Sequence, residues 1–280
     1  MMRFLSPALA AGGRILLAFI MIAIPAAIVR LVLVPGMEAL LNLSDPAVVV
    51  LRRVGMMTGI VAGYWMYVRL VEKRAAAELS FRPATIGLSG LAGSASIAVP
   101  MFALYVFGAF VLTGTGGDGG LAGIALLILA AALLEEVVFR AVIFGIIERQ
   151  LGLWSALLAP SLLFSALHLF NFHWGGWAAF VSVVLLGLMW SLVYAVTRNL
   201  WAATANHALW NFTIILTGLP LTGQQQWRAA APLHSEIRGN VLWTGGEAGP
   251  EGSLLVILFV IVITSGLLWC VRAGARSGAR

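Results

Sequence analysis

The sequence is short of charge, of lysine and of cysteine. Only 10% of its 280 residues are Asp, Glu, Lys or Arg, against roughly 25% in an average soluble domain. That is too little polar side chain to cover a water-soluble globule. The 61% of hydrophobic residues and a mean hydropathy of +1.00 agree. This composition excludes a disordered chain and a nucleic-acid-binding domain, and asks for lipid as the solvent. The single cysteine, Cys270, excludes an intramolecular disulfide and a thiolate metal site. It lies in the last apolar run and is expected to pack there. One lysine stands against sixteen arginines, a bias that fits a GC-rich, bacterial genome. In a soluble chain a net charge of +6 would point to nucleic acid. Here the basic residues sit between apolar runs, where they orient a chain in a membrane.

Eight runs approach the roughly 20 apolar residues a spanning helix needs: about 14–34, 54–71, 86–112, 121–147, 153–172, 177–197, 200–219 and 253–271. They are too long and continuous for barrel strands, so they are predicted to be helices. The first is longer than the apolar core of a signal peptide and lacks a clean small-residue cleavage site. The expected fold is an all-α polytopic membrane protein of about eight transmembrane helices, a single domain over 1–280, with a motif-bearing core at 121–219. Basic residues alternate between the connections. Arg3, Arg14, Arg69, Lys73, Arg74, Arg82, Arg149, Arg198, Arg272, Arg276 and Arg280 fall on one side. The positive-inside rule makes that side, and both termini, cytoplasmic. Arg52 and Arg53 fall on the other side. Trp154, Trp174, Trp177, Trp201 and Trp269 sit near run ends, as an aromatic belt does. The outer loop 220–252 is long for a connector and has room for an interfacial helix or a lid.

Three charges interrupt the fourth run near its middle: Glu135, Glu136 and Arg140. Each costs about 2.5–3.5 kcal/mol at a helix centre, on the order of 8–10 kcal/mol together before any pairing. Glu136 and Arg140 are i and i+4 with the acid first, the favourable order for a pair. Glu135 is rotated by about 100° from Glu136 and faces a different neighbour. One acid is therefore in surplus. Burial and a like-charged neighbour both disfavour an ionised carboxyl group, the condition a general base at neutral pH needs. His168 lies in the fifth run one turn after Phe164, and His207 in the seventh one turn before Asn211. Each pair shares a helix face. His173 is placed at a run end and His234 in the outer loop.

Glu, two His and Asn on three helices define a polar site inside a membrane. They suit hydrolysis: a carboxylate and a His can activate water, while a second His and an Asn amide can stabilise an oxyanion. The same set suits Zn²⁺ held by Glu135, His168 and His207 with an open water position. It also suits a proton relay in a transporter, or a non-catalytic scaffold or immunity protein whose polar cluster only locks the bundle. No inverted repeat of the kind transporters carry is visible.

The motifs Glu135-Glu136-x-x-x-Arg140, Phe164-x-x-x-His168 and His207-x-x-x-Asn211, in this order on separate runs, resemble the three signatures of the CPBP intramembrane protease family. That family includes the type II CAAX prenyl endopeptidases and the bacterial Abi-type proteins. Phe139 before the arginine fits the resemblance, and Ala141 departs from the family's usual glycine. The resemblance implies a peptidase of glutamate or metallo type, embedded in the inner or plasma membrane. Glu135 and His168 would activate water, His207 and Asn211 would stabilise the oxyanion, and Glu136 with Arg140 would orient the site. Asn in the fourth position favours metal-free hydrolysis, with Zn²⁺ as the alternative. The implied partners are a peptide or lipidated protein substrate and membrane lipid, with no nucleic acid. By the run boundaries, His168 lies farther than Glu135 or His207 from the cytoplasmic side, and the site is expected to open to the cytoplasmic half of the bilayer.

Overall fold

Lipid offers no hydrogen-bond partner to a peptide group, so an apolar run buried in it must satisfy its backbone internally. The computed structural model describes residues 7–117, 120–169 and 176–276, and each of the eight apolar runs is helical over most of its described length. Helix α1 spans Pro7–Leu41 and α2 Asp45–Val71. Helix α3 spans Pro83–Val106. A helical stretch of 48 residues follows, Leu121–His168. At 1.5 Å per residue this is roughly 72 Å, more than twice a hydrocarbon core. Gly152 breaks it, with φ 83° and ψ 173°, a conformation open mainly to glycine. We call the two parts α4 (121–151) and α5 (153–169). Helix α6 is Gly176–Thr197, α7 Leu200–Leu216, α8 the short Val241–Thr244 and α9 Leu254–Arg276.

Among the described residues, six helical stretches are long and apolar enough to cross a membrane, with α4 and α5 counted together and the 17-residue α7 not among them. Large apolar side chains face outwards, Leu31 and Val262 at 72% and 69% exposure among them. Water would not tolerate that much apolar surface; acyl chains do. The chain is a multi-pass, all-helical membrane protein. Cys270 belongs to this outward surface rather than to the packed interior, contrary to expectation, because it lies on the exposed side of α9.

One other expectation needs correction. The third run was read as continuing to residue 112, but α3 ends at Val106. Phe110–Thr115 forms a strand, β1, antiparallel to β2, Leu233–Ile237. Gly108, at φ 74°, turns the chain out of the helix. The ribbon ties the 107–120 connection to the long 217–253 segment, so both lie at the same end of the bundle.

The opposite end is tied by charge. Arg74 bridges Glu72 and Glu78, Arg149 reaches Glu72, and Arg198 pairs with Glu148. The Tyr64 hydroxyl donates to Glu78. Asn199 caps α7 by accepting from the Ala202 amide at 2.9 Å, and donates to the Ser80 carbonyl at 2.7 Å. The connection 72–82 is thereby pinned beneath α4 and α7. Burial raises the Glu78 carboxyl, but hydrogen bonds from Arg74 and Tyr64 outweigh that and hold it below its usual range.

In the interior, α3 packs along α7 at close range. A Cβ added at Gly93 would lie 2.1 Å from the Asn206 carbonyl oxygen, so the approach needs a residue without a side chain. Helix α7, which carries His207, is thus held between α3, α4 and α6.

Candidate active site

The middle of α4 is a π-helical stretch, Glu136–Phe144. Such wide turns are rare and recur at functional sites. Glu135 precedes it and Glu136 begins it, and the two neighbours have separate surroundings. The Glu136 side chain is 0% exposed, whereas that of Glu135 is 31% exposed and faces a cavity.

Glu136 is held from two sides. Arg140 Nη1 donates to its Oε1 at 3.0 Å, and His207 Nδ1 donates to the same oxygen at 2.9 Å. Arg140 is itself buried, with Nη2 donating to the Gly187 carbonyl on α6 at 3.2 Å. Its guanidinium lies 5.1 Å from the Phe164 ring centroid and 5.7 Å from that of Trp190. Aromatic faces stabilise a desolvated cation. A charged pair taken out of water needs such additional partners.

His207 is fixed in three directions. Its ring stacks on Trp190 at 3.7 Å and 19°. Nδ1 faces Glu136 and Nε2 faces Glu135 Oε2 at 3.6 Å. His207 thus stands between the two adjacent acids.

His168 stands one turn after Phe164 on α5. Its Nδ1 donates to the Phe164 carbonyl at 2.8 Å, and its ring lies 4.2 Å from the Phe164 ring. The neutral ring then carries its lone pair on Nε2, as a base requires. Glu135, His168, His207 and Asn211 all line one cavity of about 410 Å³. The structure therefore brings four of the six expected site residues to a common space, and places Glu136 and Arg140 behind it in the packed interior.

Two residues that line the cavity were missed in the sequence. Trp190, on α6, sets the plane of His207. Glu251, in the long loop, is 2% exposed. Its carboxylate accepts from Trp210 Nε1 at 3.0 Å, and from the backbone amide and hydroxyl of Thr222 at 2.9 and 2.7 Å. Trp190 is one apolar residue among many in an apolar run. Glu251 is one acid in a loop of mixed charge. Neither has a sequence neighbour that announces its role. His234 lies in β2 and does not line the cavity, and His173 lies outside the described residues.

His168 sits near the end of α5, some 16 residues beyond Gly152, and still shares the cavity with Glu135 and His207. The cavity accommodates this by extending towards the 217–253 segment, which contributes Leu221, Thr222, Gln224, Trp227 and Glu251 to its lining. Among the described residues, none of Arg69, Lys73, Arg74, Arg82, Arg149 and Arg198 lines it. The expected metal set also departs from a metal site. Glu135, His168 and His207 form no cluster able to hold a cation, and no three His, Cys, Asp or Glu do so among the described residues. Both His207 nitrogens face carboxylates, and the stack on Trp190 holds the ring in that orientation.

These features define a class: a polytopic helical membrane protein with a carboxylate–histidine centre in its packed core. One comparison points to a family. Residues 118–213 match the family described as Type II CAAX prenyl endopeptidase Rce1-like, and the resemblance read from the three motifs is borne out over that third of the chain. No curated protein and no solved structure matches the chain.

Proposed function

We propose that the protein is an intramembrane endopeptidase that hydrolyses a peptide bond of a membrane-associated or lipidated substrate. The observation that supports this best is the split between the adjacent acids: Glu136 is satisfied and buried, while Glu135 faces a cavity shared with His168, His207 and Asn211. Water in that cavity is deprotonated by Glu135, with His168 Nε2 as the assisting base. The hydroxide adds to the scissile carbonyl carbon. The carbonyl oxygen becomes an oxyanion and accepts hydrogen bonds from His207 Nε2–H and the Asn211 amide. Glu136, accepting from Nδ1, orients the ring for this donation. When the carbon–nitrogen bond breaks, the proton taken from water passes to the leaving amine. The donors fit this sequence without a metal, and no step is routed through one.

Apolar residues make up most of the lining, among them Ile128, Val138, Leu167, Val183 and Leu186. They fit aliphatic side chains beside the scissile bond. Residence in the inner or plasma membrane follows from the family resemblance. The test is a panel of membrane-anchored peptides incubated with the purified protein in proteoliposomes and read by mass spectrometry. Cleavage by the wild type, lost in His168→Ala, is expected. Wild-type turnover in that variant would refute the assignment.

A further inference from the structure

One wall of the cavity is a strained turn. The Gln224 amide donates to the Leu221 carbonyl at 2.9 Å, and the Leu221 amide donates to the Gln224 carbonyl at 3.1 Å. Between them, Thr222 and Gly223 have φ of 47° and 76°. A two-residue turn with both central φ positive favours Asn-Gly. Threonine is β-branched, and a positive φ strains it. Such strain persists only where the surroundings hold it, and it gathers at functional sites. Here the holder is Glu251. Its Oε2 accepts from the Thr222 amide and hydroxyl at 2.9 and 2.7 Å, and its Oε1 from Trp210 Nε1 at 3.0 Å. Its backbone carbonyl accepts from the Ser182 hydroxyl on α6 at 2.6 Å. The Gly223 amide donates to the Ala248 carbonyl at 3.0 Å. Gly249 passes so close to Pro220 that an added Cβ would lie 2.0 Å from its carbonyl oxygen. Trp210 adjoins Asn211 on α7, and Ser182 adjoins Val183 on α6, both lining residues. One side chain thus fastens the turn to the helices that carry His207 and Trp190.

Leu221, Thr222, Gln224 and Trp227 form this rim of the cavity, and it lies outside the matched residues 118–213. It offers Leu221 and Trp227 as apolar surface and Gln224 as a carboxamide. Among the described residues, Glu135 and Glu251 line the cavity and no lysine or arginine does. An acidic side chain entering there would meet like charge, which is strongly penalised. We propose that the Leu221–Gln224 turn is the specificity-determining element of the cavity, and that Glu251 is the positioning residue that sets it. This rests on the peptidase reading. The substrate chain lies along the turn, and the Gln224 amide donates to one of its peptide carbonyls. Leu221 and Trp227 receive an uncharged, apolar side chain, and acidic residues beside the scissile bond are rejected. Glu251 moves no proton; both of its oxygens already accept hydrogen bonds from the groups they hold.

The test measures Tm, peptide binding and hydrolysis on the full chain in lipid nanodiscs, for the wild type, Gln224→Arg and Glu251→Gln. The probes are membrane-anchored peptides in matched pairs that differ by leucine or aspartate at one position. The wild type should bind and cleave the leucine member better by about tenfold or more. Gln224→Arg, with an unchanged Tm, should narrow that ratio about tenfold by improving the aspartate member. Glu251→Gln turns an amide N–H group towards donors that need an acceptor. It should raise KM for the leucine member more than it lowers kcat. A Gln224→Arg protein that treats both members as the wild type does, or a Glu251→Gln protein with a lower Tm and an unchanged KM, would overturn the proposal. Binding is also read in the His168→Ala background, where no turnover is needed. Leucine–aspartate discrimination in binding, with no hydrolysis by the wild type, would support the rim assignment and count against the peptidase reading alone.

Discussion

The bundle has a closed half and an open half, and they meet between Glu136 and Glu135. On the closed side the buried charges are paired. Glu136, Arg140 and His207 interlock in the interior, while Arg74, Glu72, Glu78, Arg149, Glu148 and Arg198 form pairs at the basic end. On the open side the polar groups face a cavity and are partly exposed. In the proposed reading the same residue types serve structure in one half and chemistry in the other. What separates them is a rotation of one residue on α4 and the position of His207 between the two carboxylates. Charge inside a membrane is therefore not by itself a mark of function; the mark is charge with space in front of it.

The contrast can be broken on its closed side. Glu136→Gln leaves Arg140 buried without a counter-charge, and removing one partner of a buried pair costs about 3–5 kcal/mol. Thermal unfolding in detergent should show the largest Tm loss of any single site substitution, with activity falling in parallel. At the rim, Glu251→Ala strands the Thr222 amide and the Trp210 indole N–H. Unsatisfied buried donors cost about 1–3 kcal/mol, so a moderate Tm loss is expected. Because the rim shapes entry, KM should rise more than kcat falls; an unchanged KM would separate the rim from substrate binding.

A smaller effect tests the basic end through pH. The Glu78 carboxyl is held low in the folded chain by Arg74 and Tyr64. Its stabilisation is therefore complete above the unfolded value and is lost as pH falls through the lower folded value. The Tm difference between wild type and Glu78→Gln should be constant near neutrality and narrow below about pH 4.5. The smallest effect is at Arg238–Glu236, a pair with both side chains more than half exposed. Arg238→Ala should change stability by less than about 0.5 kcal/mol, and a larger loss would show that the rim depends on surface charge.

Much of this was legible in the sequence. The apolar runs mark the helices because lipid leaves the backbone no other solution. Glu135, Glu136, Arg140, His168, His207 and Asn211 stand out because polar groups at that depth are expensive. Spacing of three or four residues tells which of them share a face. What was not legible depends on contacts between distant segments. The stack of Trp190 on His207 joins α6 to α7, and the Glu251 anchor joins a loop to both. The π-helical stretch of α4 has no distinct composition. The ribbon of β1 and β2 escaped notice because residues 110–112 are as apolar as the helix before them.

The central claim is that Glu135 performs chemistry while its neighbour Glu136 maintains structure. It is tested most directly by measuring Tm and peptide hydrolysis of Glu135→Gln beside the wild type in the same proteoliposomes. The account predicts an unchanged Tm and a loss of turnover of roughly 10²–10⁴-fold, the usual contribution of a positioned acid–base group. Wild-type turnover, or a collapse in Tm matching that of Glu136→Gln, would contradict it.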